Sequence, residues 1–94
     1  MFTGIIKEVG KVRDLSSFAG GKKISIQATK TVQGIEIGES IAVNGACLSV
    51  TKILDNSFEA QAVKETLQRS NLSKLRKGSM VNLERPLQAS DRFD

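Results

Sequence analysis

The eight residues Asn44-Gly45-Ala46-Cys47-Leu48-Ser49-Val50-Thr51 carry the only thiol of the chain, with two hydroxyls following it at a spacing of two. In an extended strand that spacing sets Cys47, Ser49 and Thr51 on one face and Leu48 and Val50 on the other. Small polar groups leave room for a flat ligand and offer donors and acceptors to its edges. The plain alternative is a half-buried strand with solvated hydroxyls and an inert thiol. Two other segments offer related chemistry. In Phe2-Thr3-Gly4-Ile5-Ile6, Gly4 lets the main chain approach a ligand closely. In Gln61-Ala62-Val63-Lys64-Glu65-Thr66, a strand passes into a helical turn whose first N–H groups lack helical partners. Glu65 and Thr66 equally suit ordinary first-turn positions. Cys47 is the one candidate nucleophile. Its nearest cation in sequence is Lys52, which strict alternation sends to the opposite face, so packing of the sulfur against a ligand ring is the favoured role.

Composition narrows the classes. The chain has 94 residues, 39% hydrophobic and 26% charged, which suits one globular domain with a single core. A single Cys excludes an intrachain disulfide and, with no His, the usual zinc ligand sets and Ser-His-Asp or Cys-His nucleophile systems. A reducing, cytoplasmic setting is the simplest home, since no apolar run reaches membrane-spanning length and the N-terminus is no signal peptide. The net charge of +4 gives weak attraction to polyanions, but the cations are scattered and only Lys74-Leu75-Arg76-Lys77 is a tight cluster. Such a run is ordinarily a solvated loop. With four Phe and no Tyr or Trp, the stacking platforms of nucleic-acid barrels are thinly supplied.

The elements that must position these groups are mostly strands. Phe2 to Leu15 reads as a long first strand, with Ile5, Ile6, Val9 and Val12 apolar and Gly10 marking a bulge or bend. Lys22 to Thr29 alternates cleanly, with Ile24 and Ile26 inward. Ile35 and Ile37 sit in a connection and are expected to cover an open end of the core. Short strands follow at Glu39 to Val43 and Cys47 to Leu54, joined by the Asn44-Gly45 turn. Asp55-Asn56 turns the chain into Ser57 to Val63, with Phe58, Ala60 and Ala62 on one face. Lys64 to Leu72 holds one or two helical turns, with Leu72 and Leu75 packing back. Met80 to Arg85 is the last strand, ended by Pro86. The prediction is an all-β fold, a small six-stranded antiparallel Greek-key barrel with one short helix over residues 1–86.

Four segments, in order, resemble the N-terminal of the two barrels of riboflavin synthases. They are Met1-Phe2-Thr3-Gly4-Ile5, then Val43-Asn44-Gly45 with Cys47-Leu48-Ser49-Val50-Thr51, then Lys64-Glu65-Thr66-Leu67 with Asn71-Leu72, and Val81-Asn82-Leu83-Glu84-Arg85. The resemblance implies binding of 6,7-dimethyl-8-ribityllumazine and of the product riboflavin. The family transfers a four-carbon unit between two such lumazines, giving riboflavin and 5-amino-6-ribitylamino-pyrimidinedione, with no metal or organic cofactor. It places substrate contacts on Gly4, Ile5 and Ile6, on Cys47, Leu48 and Ser49, and on Gln61, Ala62, Val63, Lys64, Glu65 and Thr66, with Ser40 also in reach. It implies a homotrimer for a two-barrel enzyme and a homodimer for one barrel alone, and neither nucleic acid nor membrane as partner.

The sequence departs from the family in three places. Ser49 stands where Thr is common, Ala46 where some members have a second Cys, and residues 87–94 match only the start of an interdomain linker. A chain without the second barrel is expected to bind but to catalyse poorly, because orienting two substrates side by side contributes up to ~7–11 kcal/mol. The alternatives are a non-enzymatic lumazine or flavin carrier of the same superfamily and a basic OB-like nucleic-acid-binding barrel.

Overall fold

Asn44 (φ 50°) and Gly45 (φ 84°) are consecutive left-handed residues. Two such residues make the hairpin turn whose twist matches that of the flanking strands. They join β3 (Ser40–Val43) to β4 (Ala46–Ile53) in the computed structural model, which describes residues 7–86. The other elements are β1 (Glu8–Phe18), β2 (Gly21–Gln27), β5 (Ser57–Val63), α1 (Lys64–Gln68), a 3-10 turn (Asn71–Lys74) and β6 (Met80–Glu84). All pairings are antiparallel and close a barrel in the order β1-β2-β5-β4-β3-β6. Because β2 pairs with β5 and β6 lies between β3 and β1, the connections are of Greek-key type and no sheet edge is left open.

Alternation fills the barrel as expected. Ile24, Ile26, Leu48, Val50, Phe58 and Leu83 are buried in one core. Leu72, in the 3-10 turn, joins that core and Leu75 packs against it. The Ser70 hydroxyl organises this turn, donating to the Thr66 carbonyl (2.7 Å) and accepting from Leu72 N–H (3.3 Å).

Three side chains depart from the expected placement. Val9, one of the apolar residues of the first strand, is 54% exposed. Gly10 takes the inward position instead, where a Cβ would lie 2.8 Å from both Ile26 Cγ2 and Leu83 Cδ1. The β1 bulge falls between Val12 and Asp14 rather than at Gly10. Ile37 is 69% exposed, while its neighbour Ile35 does reach the core. Gly38, at φ 92°, donates to the Val50 carbonyl, and that turn lifts Ile37 into solvent. Lys52 faces outward because β4 has a bulge between Val50 and Lys52. The first strand begins at Glu8 within the described residues and runs on to Phe18, beyond the expected end at Leu15.

Two polar clamps fix the loops. Glu8 accepts from Thr29 N–H (2.7 Å) and Oγ1 (3.1 Å), and from Thr31 N–H (2.7 Å) and Oγ1 (2.8 Å). Burial raises the Glu8 pKa, but these four hydrogen bonds outweigh it and hold the carboxyl below its ordinary value. Arg85 pairs with Glu39 (2.8 Å) and donates to the Gln33 carbonyl (3.0 Å), tying the loop before β3 to β6.

Candidate functional site

Strand registers, not sequence proximity, assemble the site. Ser40 pairs with Ser49, Ser49 with Gln61, and Gln61 with Lys23. These four side chains form a polar row across β3, β4, β5 and β2 on the outer wall of the barrel. The adjoining row is apolar. Phe18 pairs with Gly21, Gly21 with Val63, and Ala42 with Cys47. Ser49 opposes Gln61, and two residues further along the same faces stand Cys47 on β4 and Val63 on β5. Cys47 is exposed and Val63 is 56% exposed, so a flat ligand has open access to this strip.

The row ends at the β5–α1 junction. Val63 is the N-cap of α1, with extended dihedral angles and no side-chain cap. The Lys64 N–H, expected to be available to a ligand, donates instead to the Gly20 carbonyl (3.0 Å). The β1–β2 hairpin therefore braces the junction. Gly21 makes this close approach possible, since a Cβ there would collide with the Ala62 carbonyl oxygen.

Beyond the junction lies a cleft of ≈ 670 Å³ between the Asn44–Gly45 turn and the helical segment. Its lining includes Asn44, Ala46, Glu65, Thr66, Arg69 and Asn71. Asn44 is held in place by its side-chain oxygen, which accepts from Asn82 N–H (2.7 Å), and by its own N–H, which donates to the Asn82 carbonyl (2.8 Å). Arg69 pairs with Glu65 at 3.2 Å across one helical turn, with both side chains solvated. That pair contributes little to stability and leaves both groups adaptable.

The outer wall and its cleft bring together Ser40, Cys47, Ser49, Gln61, Val63, Lys64, Glu65 and Thr66. The side chains of Leu48 and Ala62 point into the core at 1% and 0% exposure. Gly4, Ile5 and Ile6 lie outside the described residues. Lys23, Asn44, Arg69 and Asn71 were not legible as site residues. Lys23 reaches the wall through the β2–β5 pairing alone, and the others meet only where the turn and the helical segment face each other. No group of three or more His, Cys, Asp or Glu among the described residues is arranged to hold a metal ion.

Residues 3–86 match the model of the lumazine binding domain. The chain belongs to the lumazine-binding domain family. The riboflavin synthase of Actinobacillus pleuropneumoniae is 46% identical over 93 residues, covering 99% of this chain and 43% of that protein. The Bacillus subtilis riboflavin synthase is 41% identical, with the same coverage of 99% and 43%. The chain thus spans less than half the length of these relatives. Among solved structures, LumP bound to 6,7-dimethyl-8-(1'-D-ribityl) lumazine superposes with a TM-score of 0.82 at 30% identity, covering 90% of this chain and 49% of that one. LumP has also been solved with flavin mononucleotide (TM-score 0.82, 29% identity) and with riboflavin (0.81, 30%). No helix among the described residues is long and apolar enough to cross a membrane.

Proposed function

We infer that this chain binds 6,7-dimethyl-8-ribityllumazine and riboflavin on the outer wall of its barrel, as the N-terminal lumazine-binding half of a riboflavin synthase. The observation that carries this is the pair of parallel rows, apolar Phe18–Gly21–Val63–Cys47 beside polar Ser40–Ser49–Gln61–Lys23. A lumazine or flavin has the matching division, a flat ring joined to a polyol chain. The ring lies on Val63 and the Cys47 sulfur, with its polar edge toward Lys64, Glu65 and Thr66. The ribityl hydroxyls meet Ser49, Gln61 and Ser40, which both donate and accept. Leu48 and Ala62 act from inside the core by holding β4 and β5 in register. The resemblance to riboflavin synthases adds Gly4, Ile5 and Ile6 to the contact set.

Cys47 serves as a packing group and not as a nucleophile. Its partner across the β3–β4 pair is the uncharged Ala42, and Ser49 shares its face of β4. The four-carbon transfer joins two lumazines, so it needs a second binding wall facing this one. Two copies of this chain pairing about a two-fold axis would supply one, and a two-barrel enzyme in a trimer would supply it from a neighbouring subunit. No metal or organic cofactor enters this reading, and the cytoplasm is the compartment it suits.

Fluorescence titration of the folded chain with riboflavin and with the lumazine tests the proposal. Saturable quenching at one ligand per chain is the expected result. A folded chain that binds neither ligand overturns it. Sedimentation showing only monomer at high concentration would count against the two-fold pairing.

A further inference from the structure

The polar row holds one cation, Lys23, one strand beyond Gln61, before it runs on to Ser16 of β1. Strands lie about 4.8 Å apart, so Lys23 is roughly 10 Å from Ser49 along the row, about the length of a ribityl chain carrying one more group at its end. The ammonium is loosely engaged. Lys23 Nζ is 3.8 Å from Glu59 Oε1, and Lys52 Nζ is 3.9 Å from Glu59 Oε2. Two lysines therefore share one carboxylate, and Glu59 keeps Lys52 if Lys23 turns away. The Lys23 side chain is 45% exposed, so reorienting it gives up only a weak, solvent-screened interaction. The other acidic neighbour, Asp14, pairs with Ser25 in the row beyond, and its Oδ1 accepts from Leu15 N–H (2.9 Å).

We propose that Lys23 is a specificity-determining residue that receives a phosphate monoester at the far end of the ligand's polyol chain, so that this wall takes a 5'-phosphorylated flavin in preference to the unphosphorylated one. This rests on the binding reading above and adds to it a preference that the hydroxyl of Ser49 and the amide of Gln61 have no means of creating. A phosphate monoester carries close to two negative charges at neutral pH, and Lys23 is the first cation it meets on leaving Gln61.

The test is a titration of the whole chain with riboflavin and with flavin mononucleotide, at low salt and at about 0.3 M salt. The parent is expected to bind the phosphorylated flavin about three- to tenfold more tightly at low salt, with the gap closing as salt screens the pair. Lys23→Gln removes the preference, read as the ratio of the two flavin affinities. Glu59→Gln releases Lys23 and widens the preference. Lys52→Gln, which removes the same charge one row away, leaves most of it. An unchanged affinity ratio in Lys23→Gln overturns the proposal while riboflavin binding stands, as does an equal loss in Lys23→Gln and Lys52→Gln. A folded chain that binds neither flavin overturns the underlying reading as well.

Discussion

Removing the Glu8 carboxylate tests whether one side chain holds the start of β1 to the loop after β2. Its two oxygens divide the work evenly. Oε2 takes the N–H and hydroxyl of Thr29, and Oε1 those of Thr31. Thr31 is 2% exposed, so its N–H has no ready access to water when the carboxylate is gone. An unsatisfied buried donor costs about 1–3 kcal/mol, and loss of the charge-assisted bond at Thr29 adds less because solvent reaches that side. Glu8→Ala should therefore destabilise the domain by about 2–4 kcal/mol. Glu8→Gln should lose about 1–2 kcal/mol, because its amide oxygen can still serve Thr31 while its NH₂ faces the Thr29 N–H. The chain has no Trp or Tyr, so urea unfolding followed by far-UV circular dichroism is the suitable assay. The folded carboxyl lies below its ordinary value, hence its contribution is complete above the unfolded pKa of about 4.3 and fades as pH falls through the folded one. The gap between parent and Glu8→Gln should accordingly narrow below about pH 4. A Glu8→Ala protein within about 0.5 kcal/mol of the parent, or a deficit unchanged between pH 7 and pH 3, would refute the reasoning.

Other perturbations separate the wall from the core. Leu72→Ala, at a fully buried position, should destabilise by about 2–5 kcal/mol while folded molecules keep their riboflavin affinity, measured by unfolding and titration together. Val63→Asp sits on the exposed apolar row and should leave the melting temperature within a few degrees but weaken riboflavin binding at least tenfold; an unaltered affinity removes Val63 from the site. Gly21→Ala drives a methyl group into the Ala62 carbonyl and should lower both stability and binding, because it separates the β1–β2 hairpin from the β5–α1 junction. Cys47→Ser should reduce affinity only severalfold, and complete loss of turnover with binding intact in a two-barrel enzyme carrying it would show that the thiol does chemistry.

The sequence by itself determined the sidedness of most strands. Alternation in β2, β4 and β5 placed Ile24, Ile26, Leu48, Val50 and Phe58 inside and Cys47, Ser49 and Gln61 outside, because extended residues project alternately whatever their partners. Asn44-Gly45 dictated a tight hairpin because few other pairs accept two left-handed residues in succession. The bounds of β5 were legible for the same kind of reason, with Asp55-Asn56 before it and helix formers after it.

Tertiary structure decided the rest. The bulges in β1 and β4 shift the pairing register, and the second turns Lys52 outward against its alternation. Gly10 reads as the mark of a bulge or bend, yet it fills an inward position where Ile26 and Leu83 leave no room for a Cβ, and Val9 is exposed as a consequence. Above all, the polar row joins residues 23, 40, 49 and 61 through four strands whose order in the barrel is not their order in the chain. Local periodicity records which face a side chain takes. Which side chains then become neighbours depends on closure of the barrel, where each pairing must satisfy the main-chain groups of both its strands at once.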